Sequence, residues 1–308
     1  MKIVLCGFFV SAVALAAVLL TVNSVAQAAA GTKKAIVITS FGTSFDDSRT
    51  KNIGSLEAKV KKFFPDYTVC QAFTSKIILK KLQERGIAVN SLESTLDNLK
   101  REGYSTVILQ SAHLTPGEEY TNKVLAVAEQ YKDDFQTLTV GRPIMMFKGD
   151  LNQDLEPDDF AILREAIKQQ IPPLQAGQEV VFMGHGSPHR HNPAYEILQE
   201  EFDAAALPVT IGVVEASDYP NLSDVMARLQ AKETVESVIL MPLLLTAGDH
   251  AHRDMLGDDL DSWKSTLESA GYVVTAYLHG LGENEAFQAI YLQHIQDAID
   301  GKYSVLVK

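Results

Sequence analysis

Val107-Ile108-Leu109-Gln110-Ser111-Ala112-His113-Leu114-Thr115-Pro116-Gly117-Glu118-Glu119 and Val238-Ile239-Leu240-Met241-Pro242-Leu243-Leu244-Leu245-Thr246-Ala247-Gly248-Asp249-His250 follow one plan. Each opens on an apolar triplet led by Val-Ile, reaches a Leu-Thr pair at the same internal spacing, turns at a glycine and ends on a side chain able to take a proton or a metal. A short apolar run bounded by turn residues reads as a buried strand. Ile36-Val37-Ile38-Thr39-Ser40-Phe41-Gly42-Thr43-Ser44 likewise parallels Val180-Val181-Phe182-Met183-Gly184-His185-Gly186-Ser187-Pro188, one strand and one glycine turn in each. Two matched segments in the same order mean an internal duplication, so the chain reads as two similar halves.

Working outward, Ala35–Thr39, Thr106–Leu109, Glu179–Met183, Val209–Val214, Ser237–Leu240 and Tyr272–Thr275 read as buried strands. Ser91–Glu102, Glu118–Tyr131, Pro157–Gln170, Leu222–Lys232 and Asn284–Ala298 carry helical spacing. Alternation of this kind predicts an α/β fold: two similar doubly wound parallel-sheet halves with a cleft between them. The halves are expected over 33–150 and 178–308. A linker helix and loop, 151–177, joins them, where Pro172-Pro173 and Gly177 break the helix.

The N-terminus is read separately. Lys2 precedes an apolar run from Ile3 to about Val22 and the small-residue sequence Val25-Ala26-Gln27-Ala28, the pattern of a signal peptide over 1–28 cleaved after Ala28. The alternative is an uncleaved anchor, since the run approaches the ~20 apolar residues that span a bilayer. Cleavage predicts a periplasmic protein with no stable membrane insertion. It also leaves Cys70 as the sole cysteine, which excludes an intrachain disulfide.

Of the 308 residues, 46% are hydrophobic and 21% charged, the balance of a globular protein. Asp and Glu number 39 against 27 Lys and Arg, a net charge of −12, which supplies no field for nucleic acid and suits a cationic or metal partner.

Superposing the halves shows where chemistry has been added. Phe41 is set against His185, Phe73 against Glu215, and Glu119 against His250, all just beyond strands, where α/β sheets gather ligands. His185, between Gly184 and Gly186, is reachable from solvent and able to bind a metal or take a proton; the bland alternative is a turn histidine without a role. His250 begins a helix after a glycine turn, with Asp249 either capping that helix or fixing the ring's tautomer, and His252 is a second choice. Glu215 ends a very apolar strand, where a carboxylate is costly unless paired, metal-bound or open to a cleft. Glu119 is either a cleft acid or a helix-start acid satisfying the dipole. His189 and His191 read as part of a polar loop near His185; His279 and His294 read as ordinary residues. Two histidines and a carboxylate from three strand ends suit Co²⁺, Fe²⁺, Ni²⁺ or Zn²⁺. No Walker loop, G-x-G-x-x-G or G-x-S-x-G is present, which argues against nucleotide-driven and serine chemistry.

At these residues the sequence resembles a known family. Thr39–Ser44, Gly117–Tyr120, Met183–Gly186, Val214-Glu215 and Ala247–Ala251 together are similar to the anaerobic cobalamin-pathway sirohydrochlorin cobaltochelatases, class II chelatases related to ferrochelatase. The resemblance covers nearly all the chain beyond the signal. It implies two doubly wound halves facing a tetrapyrrole cleft and ATP-independent insertion of Co²⁺ into sirohydrochlorin, a lyase reaction of cobalamin biosynthesis. It makes His185 and His250 the paired metal-site histidines and Glu215 and Glu119 the acidic cleft residues. The signal peptide departs from the family pattern, since the usual substrate is made in the cytoplasm.

Inserting a divalent metal into a tetrapyrrole requires two pyrrole N–H protons to leave and the metal's waters to be exchanged for ring nitrogens. On this reading His185, Glu215 and His250 hold the metal, while Glu119 and one histidine accept protons. Arg49, Arg142 and Lys76 are candidate anchors for substrate carboxylates, with solvated surface charge as the bland alternative. The rivals are an exported metal- or haem-binding carrier and a chelatase for Fe²⁺ or Ni²⁺; a metal-dependent hydrolase is weaker, because no separate nucleophile is evident. A homo-oligomer, and a haem at a subunit interface with His113 as a spare ligand, stay open.

Overall fold

The computed structural model describes residues 32–149 and 156–306. The expected signal peptide, 1–28, and residues 151–155 of the expected linker lie outside the described residues.

Among the described residues, nine strands run in chain order: β1 (Lys33–Ser40), β2 (Thr68–Phe73), β3 (Tyr104–Ser111), β4 (Thr137–Gly141), β5 (Gln178–Gly184), β6 (Val209–Val213), β7 (Ser237–Pro242), β8 (Val273–Ala276) and β9 (Val305–Leu306). They form two sheets, ordered β2-β1-β3-β4-β9 and β6-β5-β7-β8. Removing β9 leaves the same order twice, which is the duplication expressed as topology. The pairings β1/β2, β3/β4, β5/β6, β5/β7 and β7/β8 are parallel. Parallel strands need crossovers, and the helices between them cover both faces. The fold is therefore α/β and doubly wound, as expected.

The two-residue period of the strands divides the core. Ile36 and Ile38 of β1, Ile108 of β3, Val180 and Phe182 of β5, and Ile239 and Met241 of β7 belong to one apolar cluster contributed by both sheets. Their alternates Ala35, Val37, Val107 and Leu109 pack under the outer helices of the first sheet. Val181, Met183, Val238 and Leu240 do the same in the second. Strands buried on both faces read as continuous apolar runs, which is why they were visible in the sequence.

Helix starts follow local chemistry. Ser91 caps the helix Leu92–Arg101 by accepting the Ser94 N–H, and Asn221 with Asp224 forms a reciprocal capping box on Leu222–Gln230. The expected helix Glu118–Tyr131 is π-helical over Tyr120–Leu125 before becoming α-helical over Ala126–Tyr131. Another π-helical segment, Ala251–Met255, holds the equivalent place after β7. Both directly follow candidate site residues, a common position for π geometry.

The second half does not keep its own C-terminus. The helix Glu285–Ile299 packs against β3, β4 and the helix Asp159–Lys168, and β9 pairs antiparallel with β4. Phe287, Tyr291 and Ile295 from this helix complete the shared core, and the Tyr291 hydroxyl donates to Ala112 O at 3.0 Å. The division at 178–308 thus follows sheet membership only as far as β8. The stripe of apolar residues on the last helix is needed to cover the exposed face of the first sheet.

Candidate metal centre

His185 leaves the end of β5 between two glycines that packing requires. A Cβ on Gly184 would lie 2.4 Å from the ring of buried Tyr195. Gly186 has φ +81°, and a Cβ there would meet Val213 Cβ at 2.9 Å and Glu215 Cβ at 3.1 Å. The chain can pass this close to its neighbours only without side chains, and His185 between them is left facing the strand ends. Its Nδ1 lies 2.9 Å from Gly186 O, an acceptor only, so Nδ1 carries the proton and Nε2 is the free nitrogen.

His250 immediately precedes the π-helical segment Ala251–Met255 and is half-buried. Its Nδ1 donates to Asp254 Oδ2 at 2.6 Å, again leaving Nε2 free. The two rings meet edge to face, with centroids 4.7 Å apart and planes at 88°. Sequence positions 65 residues apart are therefore brought together as a pair of imidazoles, with both Nε2 atoms unclaimed among the described residues. Burial resists ionisation of Asp254, but hydrogen bonds from Arg253 and His250 outweigh it and lower its pKa. Beside Asp254 opens a cleft of about 500 Å³, lined by Val214, Arg253, Asp259, Asp261 and Trp263 among others.

The carboxylate beside His250 is not the expected one. Asp249 is exposed and faces Arg253 at 3.6 Å, and it caps nothing. Successive residues on a helix point apart, whereas residues four apart share a face, which is how Asp254 reaches the ring. His252 turns away and stacks on Phe45, with centroids 4.8 Å apart.

Hydrogen bonds at the strand ends define which residues correspond between the halves. Val214 and Glu215 donate to Gly184 O and His185 O, as Thr74 and Ser75 donate to Ser40 O and Phe41 O. The first-half counterpart of Glu215 is therefore Ser75; the expected Phe73 pairs with Ser40 as Val213 pairs with Gly184. The error is one of register, two residues along the strand. Thr121 N–H donates to Gly117 O just as His252 N–H donates to Gly248 O, which aligns Glu119 with His250.

Glu215 is partly buried on the loop beside Gly186. Among the described residues, no group of three or more His, Cys, Asp and Glu side chains closes into a metal cage. His185 and His250 form an open imidazole pair, with Glu215 on the adjoining loop. Glu119 sits on the first-half loop, where Thr74 donates to its Oε2 at 3.0 Å. Thr74 was not singled out in the sequence, since it gains meaning only from lying across the sheet from Glu119.

Several expectations are corrected by burial. Arg142 is 3% exposed, held by Asp159 at 3.1 Å and Asp297 at 2.6 Å, so it joins β4 to two helices and is no substrate anchor. Arg49 is mostly buried and pairs with Asp46, while Lys76 is exposed. His113, a spare haem ligand on the sequence reading, points inward beneath Glu119. His191 is tied down between Asp218 and Glu196, at 2.8 and 2.7 Å, and the Asp218 hydrogen bond raises its pKa; His189 is exposed. Asp218 also accepts the Ser187 N–H at 2.8 Å, bracing the loop that carries His185.

Two doubly wound parallel sheets of the same strand order make the class II chelatase fold, and the imidazole pair stands at the strand ends of its second half. The family model described as cobalt chelatase (CbiK) matches residues 34–300. The sirohydrochlorin cobaltochelatase of Salmonella typhimurium is 38% identical over 269 residues, 87% of this chain and 97% of that protein. The sirohydrochlorin cobaltochelatase CbiKC of Nitratidesulfovibrio vulgaris is 34% identical, over 87% of this chain and 91% of that protein. In fold, the chain is similar to the sirohydrochlorin chelatase SirB from Bacillus subtilis subspecies spizizenii in complex with cobalt. The TM-score is 0.56 at 13% identity, over 89% of this chain and 99% of that one. The chain belongs to the cobalt chelatase (CbiK) family.

Proposed function

We infer that the protein inserts Co²⁺ into sirohydrochlorin without ATP, exchanging two pyrrole protons for the metal. The observation that carries the reading is the His185–His250 pair, edge to face with both Nε2 atoms free. Two nitrogens hold a divalent ion and leave its remaining positions for the ring nitrogens of the substrate. A closed four-ligand cage would instead trap the ion. Family membership and the two cobaltochelatase relatives support the same reading.

In the mechanism, His185 and His250 receive Co²⁺ through Nε2, and Glu215 contributes a carboxylate oxygen from the adjoining loop. The proton on each Nδ1 is held by Gly186 O and by Asp254, so neither ring needs to turn when the metal arrives. As the metal passes to the macrocycle, one pyrrole proton goes to Glu119 Oε1, since Thr74 engages Oε2, and a histidine Nε2 released by the metal takes the other. Both protons then leave to solvent. The N-terminal pattern over 1–28 supports export and periplasmic residence of the mature chain.

The test is to mix the mature protein with sirohydrochlorin and Co²⁺, without nucleotide, and follow the visible spectrum beside His185→Ala and His250→Ala. Metallation by the wild type that both substitutions abolish is the expected result. Saturable binding with no acceleration over the protein-free control would overturn it in favour of a carrier. Mass analysis of the exported protein checks cleavage after Ala28.

A further inference from the structure

His113 is a largely buried histidine, its side chain 11% exposed, that the reaction above leaves without a task. Its backbone is pinned on both sides: Ala112 N–H donates to Thr39 O at 2.7 Å, and Met145 N–H donates to Leu114 O at 2.7 Å. The ring cannot move far. Its Nδ1 lies 3.0 Å from Ser111 Oγ, and the same Oγ accepts the His113 backbone N–H at 3.3 Å. Its Nε2 is buried, has no hydrogen-bond partner among the described residues, and stands 4.0 Å from Glu119 Oε2.

The tautomer follows from counting donors. If Nδ1 carried the proton, the Ser111 hydroxyl hydrogen would lose its acceptor, and a lone pair on Nε2 would face the lone pairs of a carboxylate. With the proton on Nε2, the Ser111 hydroxyl donates to Nδ1 and the Nε2–H points at Glu119. Burial also pushes the His113 pKa down to about 4, so the ring is neutral near pH 7 and is no store for a substrate proton. A neutral donor fixed below a carboxylate has one evident use.

We propose that His113 is a positioning residue for Glu119. When substrate fills the cleft, Glu119 shifts onto the Nε2–H of His113, so that Oε2 is held by His113 and Thr74 together and Oε1 is presented to the pyrrole N–H. A closure of about 1 Å converts the present 4.0 Å separation into a hydrogen bond to a charged acceptor, stronger than one between neutral groups. In this role His113 acts only through Glu119. The inference rests on the assignment of Glu119 as proton acceptor.

The test is a four-protein cycle: wild type, His113→Leu, Glu119→Gln and the double variant, assayed by the spectrum of Co²⁺ insertion, with thermal unfolding measured on each. His113→Gln, whose side-chain amide places an N–H near the position of Nε2–H, is the rescue variant. In His113→Leu, kcat falls about tenfold with KM nearly unchanged. His113→Gln recovers most of it, and His113→Leu costs nothing further in the Glu119→Gln background. If Glu119→Gln turns over normally, the base assignment fails and this proposal with it. If Glu119→Gln is slowed but still measurable and His113→Leu loses the same factor in both backgrounds, or His113→Gln is no better than Leu at equal stability, then His113 is merely structural and only this proposal falls.

Discussion

His185 and His250 differ in what holds the far side of each ring: a backbone carbonyl for His185, a carboxylate for His250. The carboxylate fixes the tautomer of the His250 imidazole and locks its orientation. Asp254→Asn should therefore lower cobalt affinity or turnover by about tenfold to a hundredfold, measured by titration and initial rates, while leaving the fold intact. Unchanged values would mean that His250 is oriented by its backbone alone. His191 makes a pH-dependent contribution. Its pKa is raised above the ordinary value near 6.5 by the Asp218 hydrogen bond, with Glu196 on the other nitrogen. Its stabilisation is complete below the ordinary value and is lost as pH rises through the raised one, so His191→Gln should lower Tm more at about pH 5.5 than at about pH 8.5. An equal penalty at both would show that the ion pairs contribute nothing. The histidine pair was legible in the sequence because glycine turns mark strand ends and the duplication compares them directly. Asp254 was not, because the side chain nearest in sequence, Asp249, points away from the ring.

The element that matters most is the turn after β5. Gly186→Ala places a Cβ 2.9 Å from Val213 Cβ at a φ of +81°, so both the strain and the clash must be relieved by moving the His185 loop. The expected outcome is a fall in kcat together with a lower Tm, seen in assays and thermal melts; wild-type kinetics would show that the loop tolerates the shift. Turns and caps of this kind are readable from a few residues, as Ser91 and Asn221 show at their helix starts. β4 leaves little trace in the sequence, because Thr137-Leu138-Thr139-Val140-Gly141 is short and interrupted by threonines. The π-helical segments escaped too. Their apolar residues follow helical spacing closely enough that the wider turn shows only in the backbone bonds.

At the scale of the molecule, the halves are not separable. Ile36, Ile38 and Ile108 face a core completed by Phe182, Phe202 and the last helix. A fragment of residues 33–149 should therefore fail to unfold cooperatively in urea and should bind a hydrophobic dye; a sharp transition would establish an autonomous half. Arg142→Met leaves buried Asp159 and Asp297 without their counter-charge, and it should cost ~3–5 kcal/mol in urea unfolding. The variant that remains folded should keep its imidazole pair, since Arg142 has no hydrogen bond to either histidine. What the sequence alone determined is what lies within a few residues: the alternating strands and helices, the duplication, and the Gly184-His185-Gly186 turn with its glycine-led counterpart before His250. Those signals are local because strand period and turn conformation depend on near neighbours. The tertiary structure alone decided that Arg142 is buried, that Glu215 answers to Ser75, that Asp254 holds His250, that the final helix returns to the first sheet, and that His113 lies under Glu119. Each depends on which face of one element meets which face of another, and that is set by long-range packing, which sequence spacing does not record.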